Sequence, residues 1–276
     1  MKNVVAAALL VAVLPIVPAA SQTTTDTPVA ASGGAPTPIC TDRPSKANAA
    51  CTVPQGRVQV EADALNWTRF AAGGIDMDTI LYTNPTIKYG LGANTDIEAN
   101  IAPYETVRVH GQGSSDTLGG VGDLFVRVKQ QLTAPGARTQ VAVIPFVKAP
   151  TARFGIGNTR WEGGVILPVI VTLPSGFALN LGPEVDILAD GDRHGLHANL
   201  VGVVNLSHAV GKKGTVYAEF WNAHNLDPAG TVHQYSADIA YAYLISPRLQ
   251  IDLGGNFGLN RSTPATQVYA GISTRF

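Results

Sequence analysis

The last ten residues, Gln267-Val-Tyr-Ala-Gly-Ile-Ser-Thr-Arg-Phe276, alternate in character along their length and stop on an aromatic side chain. Val268, Ala270, Ile272 and Phe276 fall on one face, while Gln267, Tyr269, Ser273 and Arg275 fall on the other. That is the period of two of an extended strand. A bacterial outer-membrane barrel closes on such a strand, and an aromatic at its periplasmic end sits in the interfacial girdle. Tyr269, Gly271 and Phe276 then make up the assembly signal. The alternative is a soluble sandwich that happens to end in a strand, so the decision rests on the preceding segments.

They repeat the pattern. From Arg57 onward about twelve alternating segments are separated by turn residues, at 57–70, 78–91, 95–109, 121–132, 139–150, 162–173, 177–188, 197–208, 215–224, 233–245, 249–260 and 266–276. Connections around Ala93-Asn94, Ala134-Pro-Gly-Ala137, Pro174-Ser-Gly176, Gly211-Lys-Lys-Gly214 and Ser246-Pro-Arg248 are tight. Those at 110–120, 151–161 and 189–196 are longer. One rim with turns and another with loops, on an even strand count, places both barrel ends on the periplasmic side. The expected fold is all-β, a closed antiparallel transmembrane β-barrel of about twelve strands.

Composition supports this. Charged residues make up 14% of the chain, against roughly 25% for a soluble protein. Yet after the N-terminal segment no apolar run reaches the roughly eighteen residues of a spanning helix. A barrel reconciles the two, because every second residue meets lipid. The near-neutral charge gives no basic excess for nucleic acid.

Residues 1–19 read as a signal peptide: Lys2 precedes an aliphatic run from Val4 to Val17, with Pro15 inside it and small residues following. Residues 20–55 are rich in Thr, Pro, Ala and Ser and are expected to form a flexible periplasmic arm. The arm holds the chain's two cysteines, Cys40 and Cys51, which are expected to pair in an oxidising compartment. The resulting loop is either a purely local staple or a small cap or plug. Residues 56–276 form the barrel.

Alternation assigns the faces. Leu249, Ile251, Leu253, Phe257 and Leu259 share one face, as do Tyr235, Ala237, Ile239, Tyr241 and Tyr243, and these should meet lipid. Glu61, Asp63, Glu98, Glu184, Asp186, Glu219, Asp238 and Asp252 lie on the opposite faces, with Arg127, Lys129, Lys148 and Arg275 supplying positive charge. Tyr217 and Trp221 also point inward. Charges at membrane depth are tolerated only inside. This lining is either a solute path or a self-satisfying polar interior. Twelve strands tilted near 40° give a backbone radius of roughly 12 Å, which excludes a wide pore.

Arg153, Phe154, Arg160 and Trp161 lie in the longer connection after the fifth segment. They are read either as an aromatic and cationic extracellular mouth or as headgroup-level anchors. His110, Ser114 and Asp116 are the candidates for a lipid hydrolase, but a glycine-rich loop preorganises a nucleophile poorly. His194 and His197 offer at most a weak metal pair. No metal, cofactor or catalytic set is expected.

Several segments taken together resemble an outer-membrane transporter family associated with a meta-pathway of phenol degradation. They are Gly120-Val-Gly-Asp-Leu124, Ala142-Val-Ile-Pro-Phe-Val-Lys-Ala-Pro-Thr151, Gly157-Asn-Thr-Arg-Trp-Glu-Gly-Gly164, Ile166-Leu-Pro168, Gln250-Ile-Asp-Leu-Gly-Gly-Asn-Phe-Gly-Leu-Asn260 and Val268-Tyr-Ala-Gly-Ile-Ser-Thr-Arg-Phe276. The resemblance runs from about residue 100 to 276 and leaves the cysteine arm outside it. It implies an outer-membrane barrel associated with uptake of small, often aromatic compounds. The expectation is a monomeric channel with outer-membrane lipid, the barrel-assembly machinery and a small solute as partners. The rival classes are a barrel hydrolase and a closed structural or adhesive barrel.

Overall fold

The computed structural model describes residues 37–276 apart from 112, 113 and 193. The expected signal peptide and the first part of the arm lie outside the described residues. Among the described residues twelve antiparallel strands form one closed sheet. They are β1 (Val58–Ala72), β2 (Ile75–Thr83 and Thr86–Gly90), β3 (Thr95–Asn100 and Tyr104–Gly111) and β4 (Ser114–Gly120 and Leu124–Gln131). Next come β5 (Thr139–Ala149), β6 (Glu162–Ile166 and Val169–Thr172), β7 (Phe177–Leu181 and Glu184–Ala189) and β8 (Leu196–Val210). The sheet ends with β9 (Gly214–Asn225), β10 (Val232–Ser246), β11 (Leu249–Gly258) and β12 (Thr266–Arg275). β12 pairs with β1 from Gln59 opposite Arg275 to Arg69 opposite Thr266, and Phe276 N donates to Val58 O at 2.8 Å. This seam removes the sheet edges.

Five strands are interrupted, and prolines explain four of the breaks. Pro85, Pro103, Pro168 and Pro183 stand at the gaps in β2, β3, β6 and β7. Proline has no N–H to give to the ladder. Neighbouring carbonyls are reused: Ile101 N donates to Pro85 O and Leu167 N to Pro183 O.

The longer connection expected at 110–120 is instead a hairpin, with Tyr104–Gly111 paired to Ser114–Gly120. β1 and β2 join through Gly73-Gly74, both at positive φ. The sheet itself therefore rises on this side, alongside the longer connections 150–161, 190–195, 226–231 and 259–265. The opposite rim carries the short connections.

The distribution of polarity is the reverse of a soluble domain. Ile239, Leu253, Phe257, Ile272 and Phe276 are exposed on the outer wall, whereas Glu61, Asp63, Lys88, Glu98 and Lys129 are buried inside. An apolar belt around a charged interior has lipid as its solvent. No helix among the described residues is long and apolar enough to cross a membrane.

Candidate functional site

Residues 39–53 run through the barrel interior, with 37–38 and 54–55 exposed at the turn rim, which corrects the expectation of a flexible periplasmic arm for this part of the chain. The physical reason is charge complementarity. Asp42 forms ion pairs with Lys129 at 2.6 Å and with Lys88, on β4 and β2. Arg43 reaches the other way, to Asp63 on β1 at 2.5 Å and Asp252 on β11 at 2.7 Å. Lys46 Nζ lies 2.8 Å from Asp238 on β10 and 4.8 Å above the Trp221 ring on β9. Ser45 donates to Glu219.

Backbone contacts complete the seating. Asp42 N and Arg43 N both donate to Glu61 Oε2, at 3.0 and 3.1 Å. Tyr269 donates its hydroxyl to Pro44 O at 2.8 Å, so this aromatic of the expected assembly signal also holds the arm. Gly271 leaves the space that the Arg43 guanidinium fills, since a Cβ there would overlap it. Cys40 and Cys51 form a disulfide. Ala47 and Ala50, within that loop, are fully buried.

The electrostatic balance favours the ionised forms of Asp42 and Arg43. Burial pushes the Asp42 carboxyl up, but Lys129 and Lys88 outweigh this and hold it well below the usual carboxylate range. Burial pulls the Arg43 guanidinium down, and its bonds to Asp252 and Asp63 more than offset this, keeping it above its ordinary value.

The remaining lining residues fall into smaller groups. Lys129 also lies 3.2 Å from Glu98, and Arg127 is 3.9 Å from Glu98. Lys148 pairs with Glu162 at 2.7 Å and Asp123 at 3.2 Å. It donates to Asn158 Oδ1 at 2.6 Å, tying the 150–161 connection to the wall. Asp186 accepts from Asn199 at 2.9 Å, and half-buried Glu184 lies two residues before it. Arg275 donates to Thr37 O at 2.6 Å near the turn rim.

The arm separates two cavities. One of about 390 Å³ opens toward the turn rim and is lined by Thr41, Asn205, Ser207, Tyr217 and Gln250. The other, about 360 Å³, is lined by Asp63, Asn66, Asn100, Arg127, Asn256 and Tyr269. A side lobe of about 250 Å³ lies against Trp221. At the loop rim Arg153, Phe154 and Trp161 are exposed, and Arg160 is half-buried.

The hydrolase candidates do not assemble as proposed. His110 Nε2 lies 4.0 Å from Asp78 on β2, while Asp116 stands opposite Val109 in the hairpin. His197 Nδ1 contacts Asp190 at 2.9 Å rather than sharing a ligand with exposed His194. Among the described residues no group of three or more His, Cys, Asp or Glu side chains is arranged to hold a metal ion.

Sequence reasoning missed Asp42, Arg43, Lys46 and Lys88. The available signal was the placement of Asp42, Arg43 and Lys46 between the two cysteines, in a stretch otherwise poor in charge.

No curated protein sequence matches the chain significantly. Among solved structures the barrel is similar to the COG4313 outer membrane channel from Pseudomonas putida F1. That match has a TM-score of 0.67 and 13% identity over 84% of this chain and 99% of the other. The translocator domain of the autotransporter NalP from Neisseria meningitidis matches with a TM-score of 0.50 and 13% identity, over 80% of this chain and 88% of that domain. The NanC porin has a TM-score of 0.50 and 8% identity, covering 79% and 98%. At these identities the likeness fixes the fold, that of a bacterial outer-membrane β-barrel. Residues 41–276 match the family described as "Putative MetA-pathway of phenol degradation", so the match takes in residues 41–55 of the arm, and the chain belongs to that family.

Proposed function

We propose that this protein is a passive outer-membrane channel for small apolar or aromatic solutes, and that residues 37–55 are its gate. The observation that carries this reading is the arm crossing the lumen between cavities of about 390 and 360 Å³, held by ion pairs rather than by an apolar core. Charges released when the arm withdraws are rehydrated by lumen water, which makes this seating reversible. Trp221 and Tyr269 give the path two rings on which a planar solute can stack. The family description and the likeness to a channel and a porin support transport over catalysis. The lining residues then act as a selectivity surface, and Arg153, Phe154, Arg160 and Trp161 form the outer mouth. The barrel works as a monomer inserted by the assembly machinery.

The test is uptake of a radiolabelled monocyclic aromatic by cells with an intact lipopolysaccharide leaflet, comparing cells with and without the protein. A sugar of similar size serves as control. Faster entry of the aromatic alone supports the proposal. Equal entry of both solutes would reduce it to an unselective pore, and no change would leave a closed structural barrel. The ion pairs of Asp42, Arg43 and Lys46 favour that second reading at rest, because they seat the arm without any solute.

A further inference from the structure

Six cations mark the turn rim. Arg57 precedes β1, Arg138 enters β5, Lys212 and Lys213 make the β8–β9 turn, Arg248 lies in the β10–β11 turn, and Arg275 ends β12. All are exposed except half-buried Arg275. The connections at 91–94, 132–138, 173–176, 211–213 and 247–248 contain no Asp or Glu. The lumen cations Arg43, Lys46, Lys88, Lys129 and Lys148 all sit in ion pairs. None of the six rim cations forms one among the described residues. At the opposite rim acids and bases are mixed, as in the 2.8 Å pair of Arg69 with Asp76.

Most of these cations form one arc. Arg275 N donates to Arg248 O at 3.0 Å, and Leu244 N donates to Lys213 O at 2.8 Å. Arg57 immediately precedes the strand that closes on β12. The arc therefore runs from the β8–β9 turn across the seam to β1. Directly beneath it the outer wall is apolar, with Tyr243, Ile245, Ile251, Ile272 and Phe276 exposed. Lys213 Nζ lies 5.9 Å above the Tyr243 ring.

We propose that this arc is a binding surface for the anionic headgroups of phospholipids in the leaflet that surrounds the turn rim. Long cationic side chains lay their stems along apolar surface and hold their charge at headgroup level, where phosphodiesters supply the opposite charge. Among the described residues Lys213 and Arg275 otherwise donate only to the neutral carbonyls of Ile245 and Thr37. The geometry favours lipid over an anionic polymer or protein. Connections as short as 211–213 and 247–248 do not project beyond the headgroup layer, and the cations adjoin the lipid-facing wall. The surface anchors the barrel at a fixed depth and recruits acidic lipid to the seam.

The experiment uses the full mature protein, delipidated in a neutral detergent and titrated with short-chain phosphatidylglycerol or phosphatidylcholine, with binding read by native mass spectrometry. The comparison variants are R57Q/K212Q/K213Q/R248Q and the charge-conserving R57K/K212R/K213R/R248K. A preference for phosphatidylglycerol of about tenfold is expected. It should weaken with added salt, vanish in the glutamine variant and persist in the charge-conserving one. Equal binding of the two lipids, or a preference unchanged in the glutamine variant, overturns the proposal. Salt-sensitive capture of purified peptidoglycan without a lipid preference also overturns it, by reassigning the surface to a polymer. Should the glutamine variant fail the heat-modifiability test of a folded barrel, the lipid comparison and salt series on the wild type still decide.

Discussion

Replacing Arg43 by methionine keeps an unbranched apolar stem and removes the guanidinium with its charge. Asp63 and Asp252, with side chains 3% and 0% exposed, then face each other's field without their shared guanidinium. Deleting one partner of a buried pair costs about 3–5 kcal/mol, because the charge left behind is uncompensated. At 1.4 kcal/mol per factor of ten, the ratio of undocked to docked arm should rise between about a hundredfold and a few thousandfold. Trypsin cleavage after Lys46 reports this ratio, since Lys46 is held against Asp238 and Trp221 in the docked state. When opening is fast relative to cleavage, the rate follows the open population. Planar-bilayer conductance of the same variant should rise in parallel. R43M/D63N/D252N should recover much of the protection, because the stranded charges are gone. An R43M barrel with unchanged cleavage and unchanged conductance would refute the view that ion pairing seats the arm.

Three further outcomes are expected. The Asp42 carboxyl is depressed in the folded protein, so its contribution is present above the unfolded value of about 4 and lost as the pH falls below it. Conductance should therefore rise as the pH falls below about 4, whereas Asp42→Asn should conduct more at neutral pH and respond less to this acid step. Removing the disulfide with Cys40→Ser/Cys51→Ser, cysteines separated by 11 positions, should loosen the arm by at most about 3 kcal/mol. Cleavage after Lys46 should speed up while heat-modifiable gel mobility is unchanged. Gly271→Val places a side chain where the Arg43 guanidinium lies, so it should raise conductance with β12 still paired; a silent, protease-resistant variant would show that the arm has another seat.

The barrel was legible because lipid and lumen impose opposite chemistry on alternate residues, so each strand states its own orientation. Leu253 beside Asp252, or Ile239 beside Asp238, leaves no other register. The hairpin at Tyr104–Gly111 and Ser114–Gly120 was hidden by its glycines. Gly119 belongs to the strand, and its lack of a side chain makes room for the hydroxyl end of Tyr104. The arm was illegible for a different reason. Its composition cannot build an apolar core, which in a soluble protein means disorder. Inside a polar lumen the partners of Asp42, Arg43 and Lys46 are charges brought from β1, β2, β4, β10 and β11, strands far away in sequence.

The arm enters and leaves by the same rim. Thr37 and Ile39 contact Arg275 and Pro247 there, and the chain returns to Val58 at the start of β1. The inserted segment is thus a tethered cork rather than a threaded cord. It can be drawn out along the barrel axis without cutting a strand or unzipping the β1–β12 seam. A tug on the chain ahead of Thr37 loads the arm in shear, and the Cys40–Cys51 bond passes that load to both legs of the loop. For the proposed gate, the natural point of pull is therefore this leg of the loop, on the side of the short turns.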